Sequence, residues 1–513
     1  MHEMFSTNFS TVDWLIVAVY LTGVTLAGIA VNRYIHNVAD YMVGGRGSGT
    51  ALNMSAYIAT GLGLVTIMYA SIDSFSKGFS YMMIGLLCVP VGIFLGGTGF
   101  VIHRLRTYKL LTIPEFFEMR FDKRTRVAAG AICALAGILN MGLFPKMGAT
   151  FITYSTGLAA SGYADMVNWV TSLMIVLVLI YTVMGGMVSV IVTDFVQFIV
   201  LSLGMGIGMM ICLTHSDLGW TRIVTTLSEN RGEMAFNPFH PDSYGWLFMI
   251  WMLVVTLAAM VCWGPEASRA LTSKDAKTTR RTFLYSAPSS LARVGIPAFW
   301  AIAAFCFFSQ RPDLSAHFFP EGLSGKAAHA DQAMPLFIGQ IVPVGLLGVL
   351  VAGMMAAFMS THSSYFLCWS SVLVRDVMSP LKGRALSDKE QIRITRISIT
   401  CIAIFLLVWG IWYELPESVW TYMAVTGNIY LSGSATILIG GLYWRRASST
   451  GAFIALMGGL FSIAGIFLET FQRFMPWLSA ELLGLGNYAL CVVLFVVCSL
   501  LFPDKSQRVL QEN

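Results

Sequence analysis

The chain has 513 residues, of which 56% are hydrophobic and only 12% charged, with a formal net charge of +5. Its mean hydropathy is +0.71. Soluble domains carry roughly 25% charged residues, so this composition excludes a soluble enzyme or a basic nucleic-acid binder and marks an all-α polytopic membrane protein.

A spanning helix needs about 20 apolar residues. In chain order, apolar runs predict spans at 12–32, 51–73, 79–102, 127–155, 164–185, 188–213, 246–268, 283–308, 340–370, 394–413, 418–443, 449–469 and 484–502. That makes about thirteen. The polar start Met1 to Ser10 lacks the basic region of a cleavable signal, so the first apolar run is expected to stay as a helix. The stretch Ile113 to Phe121 is amphipathic and is expected at the membrane interface. The longer connections 214–245 and 309–339 have room for short helices. The tail after Pro503 is short, so no fused soluble module is expected, and no Walker-type loop points to ATP-driven transport. The nine cysteines stand singly in apolar segments, without the spacing of a zinc site or a disulfide framework.

Loops on one side of the predicted spans, including those with Arg33, Arg46, Arg104, Arg280, Arg384, Arg445 and Lys505, hold 24 of the 32 Lys and Arg residues. The other side holds 6, and Lys146 and Arg293 fall inside spans. Cytoplasmic loops are the basic ones, which predicts a multi-pass protein of the plasma (inner) membrane with its N-terminus outside and its C-terminus in the cytoplasm.

The run Ala356 to Ser364 sets four hydroxyls within five residues of a predicted span. Helical spacing puts Ala357, Ser360, Thr361 and Ser364 on one face, with Ser363 beside it. Hydroxyl and carbonyl oxygens are hard ligands that suit alkali cations. The same residue types also pack helix interfaces and hydrogen-bond across them. Two other spans carry interruptions, at Ala59-Thr60-Gly61-Leu62-Gly63 and at Trp263-Gly264-Pro265. Paired interrupted helices are the sequence pointer to an inverted-repeat transporter, although glycine is common in membrane helices generally. Asp194 lies at membrane depth with no Lys or Arg near it in sequence. A carboxylate there costs about 2.5–3.5 kcal/mol to insert, so it calls for a partner or a role. Lys146 is placed to snorkel towards the outer surface. A membrane enzyme is not indicated, because the spans hold no cluster of His, Asp and Glu.

These features together resemble the sodium/solute symporter family, whose members include sodium/galactose, sodium/proline and sodium/sialic acid symporters. The resemblance rests on Thr112 to Phe121, on Gly185-Gly186 followed by Thr193-Asp194, on Arg269-Ala270-Leu271 and on the hydroxyl helix Ala357 to Ser364. It implies a single transporter domain over 1–513 with the LeuT-type 5+5 inverted repeat: an extra N-terminal helix at 12–32, repeats at 51–213 and 246–443, and two C-terminal helices at 449–502. It implies a sodium ion held by Ala59, Leu62, Ala357, Ser360 and Thr361. A second sodium is implied at Asp194, Ser363 and Ser364, sharing Ser360. The sugar-transporting members carry Gln where Thr66 stands and an acidic residue where Gly85 stands, and the sialic acid symporters carry Arg where Asn140 stands. The solute therefore stays unassigned among sugars, sialic or organic acids and amino acids. Thr66, Asn140, Trp263 and Asn428 are the expected pocket residues, each with an alternative as an interhelical packing or hydrogen-bonding residue. The expected partners are sodium ions, a small organic solute and the bilayer, with no nucleic acid, and a monomer is the expected functional unit. The runner-up is a membrane sensor built on a transporter scaffold.

Overall fold

A computed structural model describes residues 4–31, 48–163, 165–384, 386–413 and 418–504. The predicted loop positions Arg33 and Arg46 and the tail positions Lys505 and Arg508 lie outside the described residues. The architecture is a bundle of apolar helices. Among the described residues, eleven stretches are long and apolar enough to cross a membrane, and Met166–Ile180 is a shorter apolar stretch. The apolar stretch Leu64–Thr98 holds two separate helices, Leu64–Lys77 and Met82–Thr98, which fall in the predicted spans 51–73 and 79–102, and the predicted span at 164–185 is the first part of the helix Met166–Thr214.

The chain begins with α1 (Thr11–Val31). It continues with α2 (Thr50–Gly61), α3 (Leu64–Lys77) and α4 (Met82–Thr98). Between α2 and α3 the backbone leaves helical geometry at Leu62 and Gly63, where ψ swings to 45° and 151°. Two glycines within three residues make that break cheap, because they add no side chain to crowd the bend. After α5 (Lys123–Asn140) and α6 (Phe144–Ser155), two helices run from Met166 to Thr214 as α7. They meet at Gly186, where φ is 54° and ψ is −166°, a conformation open in practice only to glycine.

The second interruption separates α8 (Gly245–Cys262) from α9 (Gly264–Thr272) at Trp263. Pro265 sits in the first turn of α9, where its missing N–H costs nothing. Next come α10 (Ala276–Ser286), α11 (Ser289–Ser309) and the hydroxyl-bearing α12 (Leu346–Val372). The bundle closes with α13 (Asp388–Trp412), α14 (Val419–Tyr443), α15 (Ser449–Gly459) and α16 (Ala480–Leu501).

Buried polar side chains fix the register of these helices. Asp13 on α1 accepts hydrogen bonds from the backbone N–H groups of Gly345 and Gly348, both at 2.7 Å, and so caps the start of α12. Asn53 on α2 donates to the carbonyl of Arg269 at 2.9 Å and to Ser273 Oγ at 2.8 Å, tying the first broken helix to the end of α9. The amphipathic stretch forms a helix over Ile113–Arg120, capped by Thr112, with Ile113, Phe116 and Phe117 buried. It docks into the protein rather than simply lying on the membrane: Arg120 is buried and donates to the Gly441 carbonyl at 3.0 Å. Lys146 donates to the Tyr413 carbonyl at 2.8 Å, so its amine has a protein partner at the helix end.

Candidate functional site

The first helix break lies against α12. A Cβ placed on Gly63 would run into Thr361 Oγ1, so the unwound backbone and this hydroxyl are as close as packing allows. Thr361 Oγ1 donates to the Thr60 carbonyl at 3.3 Å. Ala59, Leu62, Ala357, Ser360 and Thr361 are all buried. The structure thus brings the two segments of the expected first sodium site together at the break. The nearest oxygen to Thr361 among those bonds is the carbonyl of Thr60, a residue the sequence reading did not select.

The expected second set is arranged differently. Asp194 on α7 accepts the Ser360 hydroxyl at 2.6 Å on one oxygen and Arg269 Nη2 at 3.1 Å on the other. The same Arg269 nitrogen donates to Thr60 Oγ1 at 2.6 Å and to Ser364 Oγ at 2.9 Å. The counter-charge that Asp194 requires comes from α9, 75 residues along the chain. A guanidinium stands among Asp194, Thr60 and Ser364, and Asp194 and Ser364 belong to the set expected for a second sodium. Ser363 turns away and donates to the Ser360 carbonyl of its own helix at 3.1 Å.

A cavity of about 160 Å³ opens beside this cluster, with Tyr69, Asn140, Trp263, Glu266, Arg293 and Trp420 in its wall. A smaller space lined by Thr60, Thr66, Glu266, Arg293 and Thr361 lies between the two. Of the four expected pocket residues, Trp263 and Asn140 face the larger cavity and Thr66 the smaller. Trp263 Nε1 donates to the Tyr365 hydroxyl at 3.0 Å. Both amide hydrogen bonds of Asn140 go to α14, to the Met423 carbonyl at 2.8 Å and Thr426 Oγ1 at 3.0 Å. Its role is first to hold α5 on α14. Asn428 lines neither space: its carbonyl oxygen accepts the Tyr488 hydroxyl of α16 at 3.1 Å, so it joins two helices.

Sequence reading alone missed Thr60, Arg269 as an ion-pair partner, and Arg293. A signal existed for two of them. Arg293 falls deep inside a predicted span, where an ionisable residue is by default a functional candidate. Thr60 lies inside the interrupted segment itself.

Comparison with known proteins identifies the family and the fold. The model of the sodium:solute symporter family matches residues 41–459. The sodium/sialic acid symporter SiaT of Proteus mirabilis is 26% identical over 472 residues, covering 89% of each chain. The proline transporter PutP of Bacillus subtilis is 26% identical, covering 90% of this chain and 94% of its own. The sodium/glucose cotransporter of Vibrio parahaemolyticus is 23% identical, covering 96% and 90%. The solved substrate-bound, outward-open structure of a Na+-coupled sialic acid symporter superposes with a TM-score of 0.80 at 22% identity, covering 97% of this chain and all of that one. MhsT in complex with L-phenylalanine superposes at 0.54 with 13% identity. The fold is that of the LeuT-type transporters.

Proposed function

The chain belongs to the sodium:solute symporter family, and we propose that it imports a small organic solute together with sodium by alternating access. The observation that carries this reading is the contact of Thr361 with the Thr60 carbonyl in the last turn of α2 and with the unwound backbone at Gly63. An unwound segment frees carbonyls, and the adjacent hydroxyls of Ser360 and Thr361 add hard oxygens to them, a donor set suited to an alkali cation. Ala59, Leu62, Ala357, Ser360 and Thr361 are the proposed sodium ligands. The relatives with sodium in their names support the choice of ion.

The proposed stoichiometry is one sodium per solute. Asp194, Ser363 and Ser364 are the residues for a second ion, but Arg269 already neutralises Asp194 and uses the Ser364 hydroxyl. A second sodium and Arg269 are alternatives for the same oxygens. One charge moved inward through the membrane potential supplies about 2.3 kcal/mol per 100 mV to drive the solute. In this reading the repeats run over 51–213 and 246–443, the N-terminus lies outside the plasma membrane and the C-terminus in the cytoplasm, and the monomer is the working unit. Uptake into proteoliposomes with sodium or choline outside tests the reading: solute entry that is the same in both salts sinks it.

A further inference from the structure

Two opposite charges face the large cavity from different helices. Glu266 comes from the first turn of α9 and Arg293 from α11, and both also border the smaller space beside Thr361. Both keep part of their surface open, although they sit deep in the bundle. Among the described residues neither closes an ion pair with a neighbour. Arg293 lies beside Tyr69, and Arg293 and Glu266 line the same two spaces. The Arg293 guanidinium also reaches the first helix break, with Nη1 3.4 Å from where a Cβ on Gly61 would stand.

A charge held at membrane depth costs several kcal/mol unless something pairs with it. This pair of charges sums to zero but leaves each member without a close counter-charge. A singly charged anion would satisfy Arg293 and face repulsion from Glu266. A cation would do the reverse. A neutral sugar would need a polar partner for each hydroxyl, and much of the wall is apolar: Met252, Val255, Met260, Val294 and Leu431 all line it. The N–H donors of the Asn140 amide are already committed to α14. Size narrows the choice further. An engineered apolar cavity of about 150 Å³ holds one benzene, so a space of about 160 Å³ takes a compact solute of similar bulk.

We propose that the transported solute is a small zwitterion with an apolar body, its carboxylate paired with Arg293 and its ammonium with Glu266. This assignment rests on the symport reading for the coupling ion but not for the chemistry of the cavity. A carboxylate drawn to Arg293 would lie next to the first helix break, so solute and sodium would occupy adjoining sites.

The test is a binding and uptake panel on the purified full-length protein, each solute with sodium and with choline. The panel holds L-proline, L-leucine and glycine betaine as zwitterions, D-galactose as a neutral solute and N-acetylneuraminate as a large anion. For L-proline or L-leucine the N-acetylated derivative, for glycine betaine its carbon isostere 3,3-dimethylbutanoate, and for each the carboxamide, remove one charge at a time. We expect at least one zwitterion to bind, and its single-charge derivatives to bind at least tenfold more weakly. Glu266→Gln and Arg293→Gln should each weaken the zwitterion at least tenfold while sodium still raises the melting temperature of the variants. The derivatives read out the same pairing on the unaltered protein if a variant does not fold. Binding of galactose or N-acetylneuraminate alone, no binding of any zwitterion, or a zwitterion indifferent to loss of either charge overturns the assignment. Sodium-dependent uptake of galactose would do so while leaving the symport reading intact. Zwitterion binding that ignores sodium would support the assignment and remove the symport reading.

Discussion

Arg269 and Asp194 form an ion pair of 3.1 Å in which both side chains are wholly shielded from solvent. The pair joins α9 to α7, and its hydrogen bonds to Thr60 and Ser364 bring in α2 and α12. Four helices, including both halves of the bundle that carry interruptions, thus converge on one guanidinium. Removing one member leaves the other buried and unpaired, which costs about 3–5 kcal/mol, whereas replacing both leaves no charge to satisfy. Asp194→Asn and Arg269→Gln should therefore each lower the melting temperature in detergent markedly. The double variant should lose less than the two single losses combined. Strictly additive losses would mean that the pair is not coupled in the folded protein.

Sodium affinity should depend on the hydroxyls of α12. Ser360→Ala and Thr361→Ala each delete one proposed ligand oxygen. Each should raise the sodium concentration for half-maximal uptake at least tenfold, which is about 1.4 kcal/mol. Sodium titrations of uptake that overlay the parent curve for both variants would move the ion elsewhere.

The closeness of the helix break to Thr361 gives a sterically defined test. Gly63→Ala drives a methyl group into the Thr361 side chain, while a Cβ at Gly49 meets nothing within 4 Å. Gly63→Ala should impair sodium-dependent uptake as severely as Thr361→Ala. Gly49→Ala should leave it close to the parent. Equal, full activity in both would show that the break and α12 separate during the ion-bound state.

The wall of the cavity can be mapped by single cysteines in a background without the nine native ones. Cysteine at Trp263 should react with a small thiol reagent and be protected by a transported solute. Cysteine at Asn428 should show no such protection, because that position faces Tyr488 of α16. Asn428→Ala should lower the melting temperature with little change in the KM for solute. Protection at 428 and none at 263 would place the pocket on the other side of α14.

Much of this arrangement is legible in the sequence. Both helix breaks announce themselves by glycine and proline in otherwise apolar runs, and the hydroxyl face of α12 follows from helical spacing alone. The partner of Asp194 does not, because periodicity carries no information on which helices become neighbours, and Arg269 is 75 positions away. Polar residues in spans are ambiguous for the same reason. Asn140 and Asn428 are alike in sequence, yet one reaches the cavity while bonding to α14 and the other bonds to α16.

The most direct measurement is the reversal potential of solute-coupled current in proteoliposomes, with sodium and solute gradients set independently. Each gradient should shift the reversal potential, in the proportion of one sodium to one neutral solute, with Arg269 remaining on Asp194. A ratio of two would mean that Arg269 yields its oxygens to a second ion. A reversal potential indifferent to the sodium gradient, with solute equilibrating equally in choline, would contradict the account.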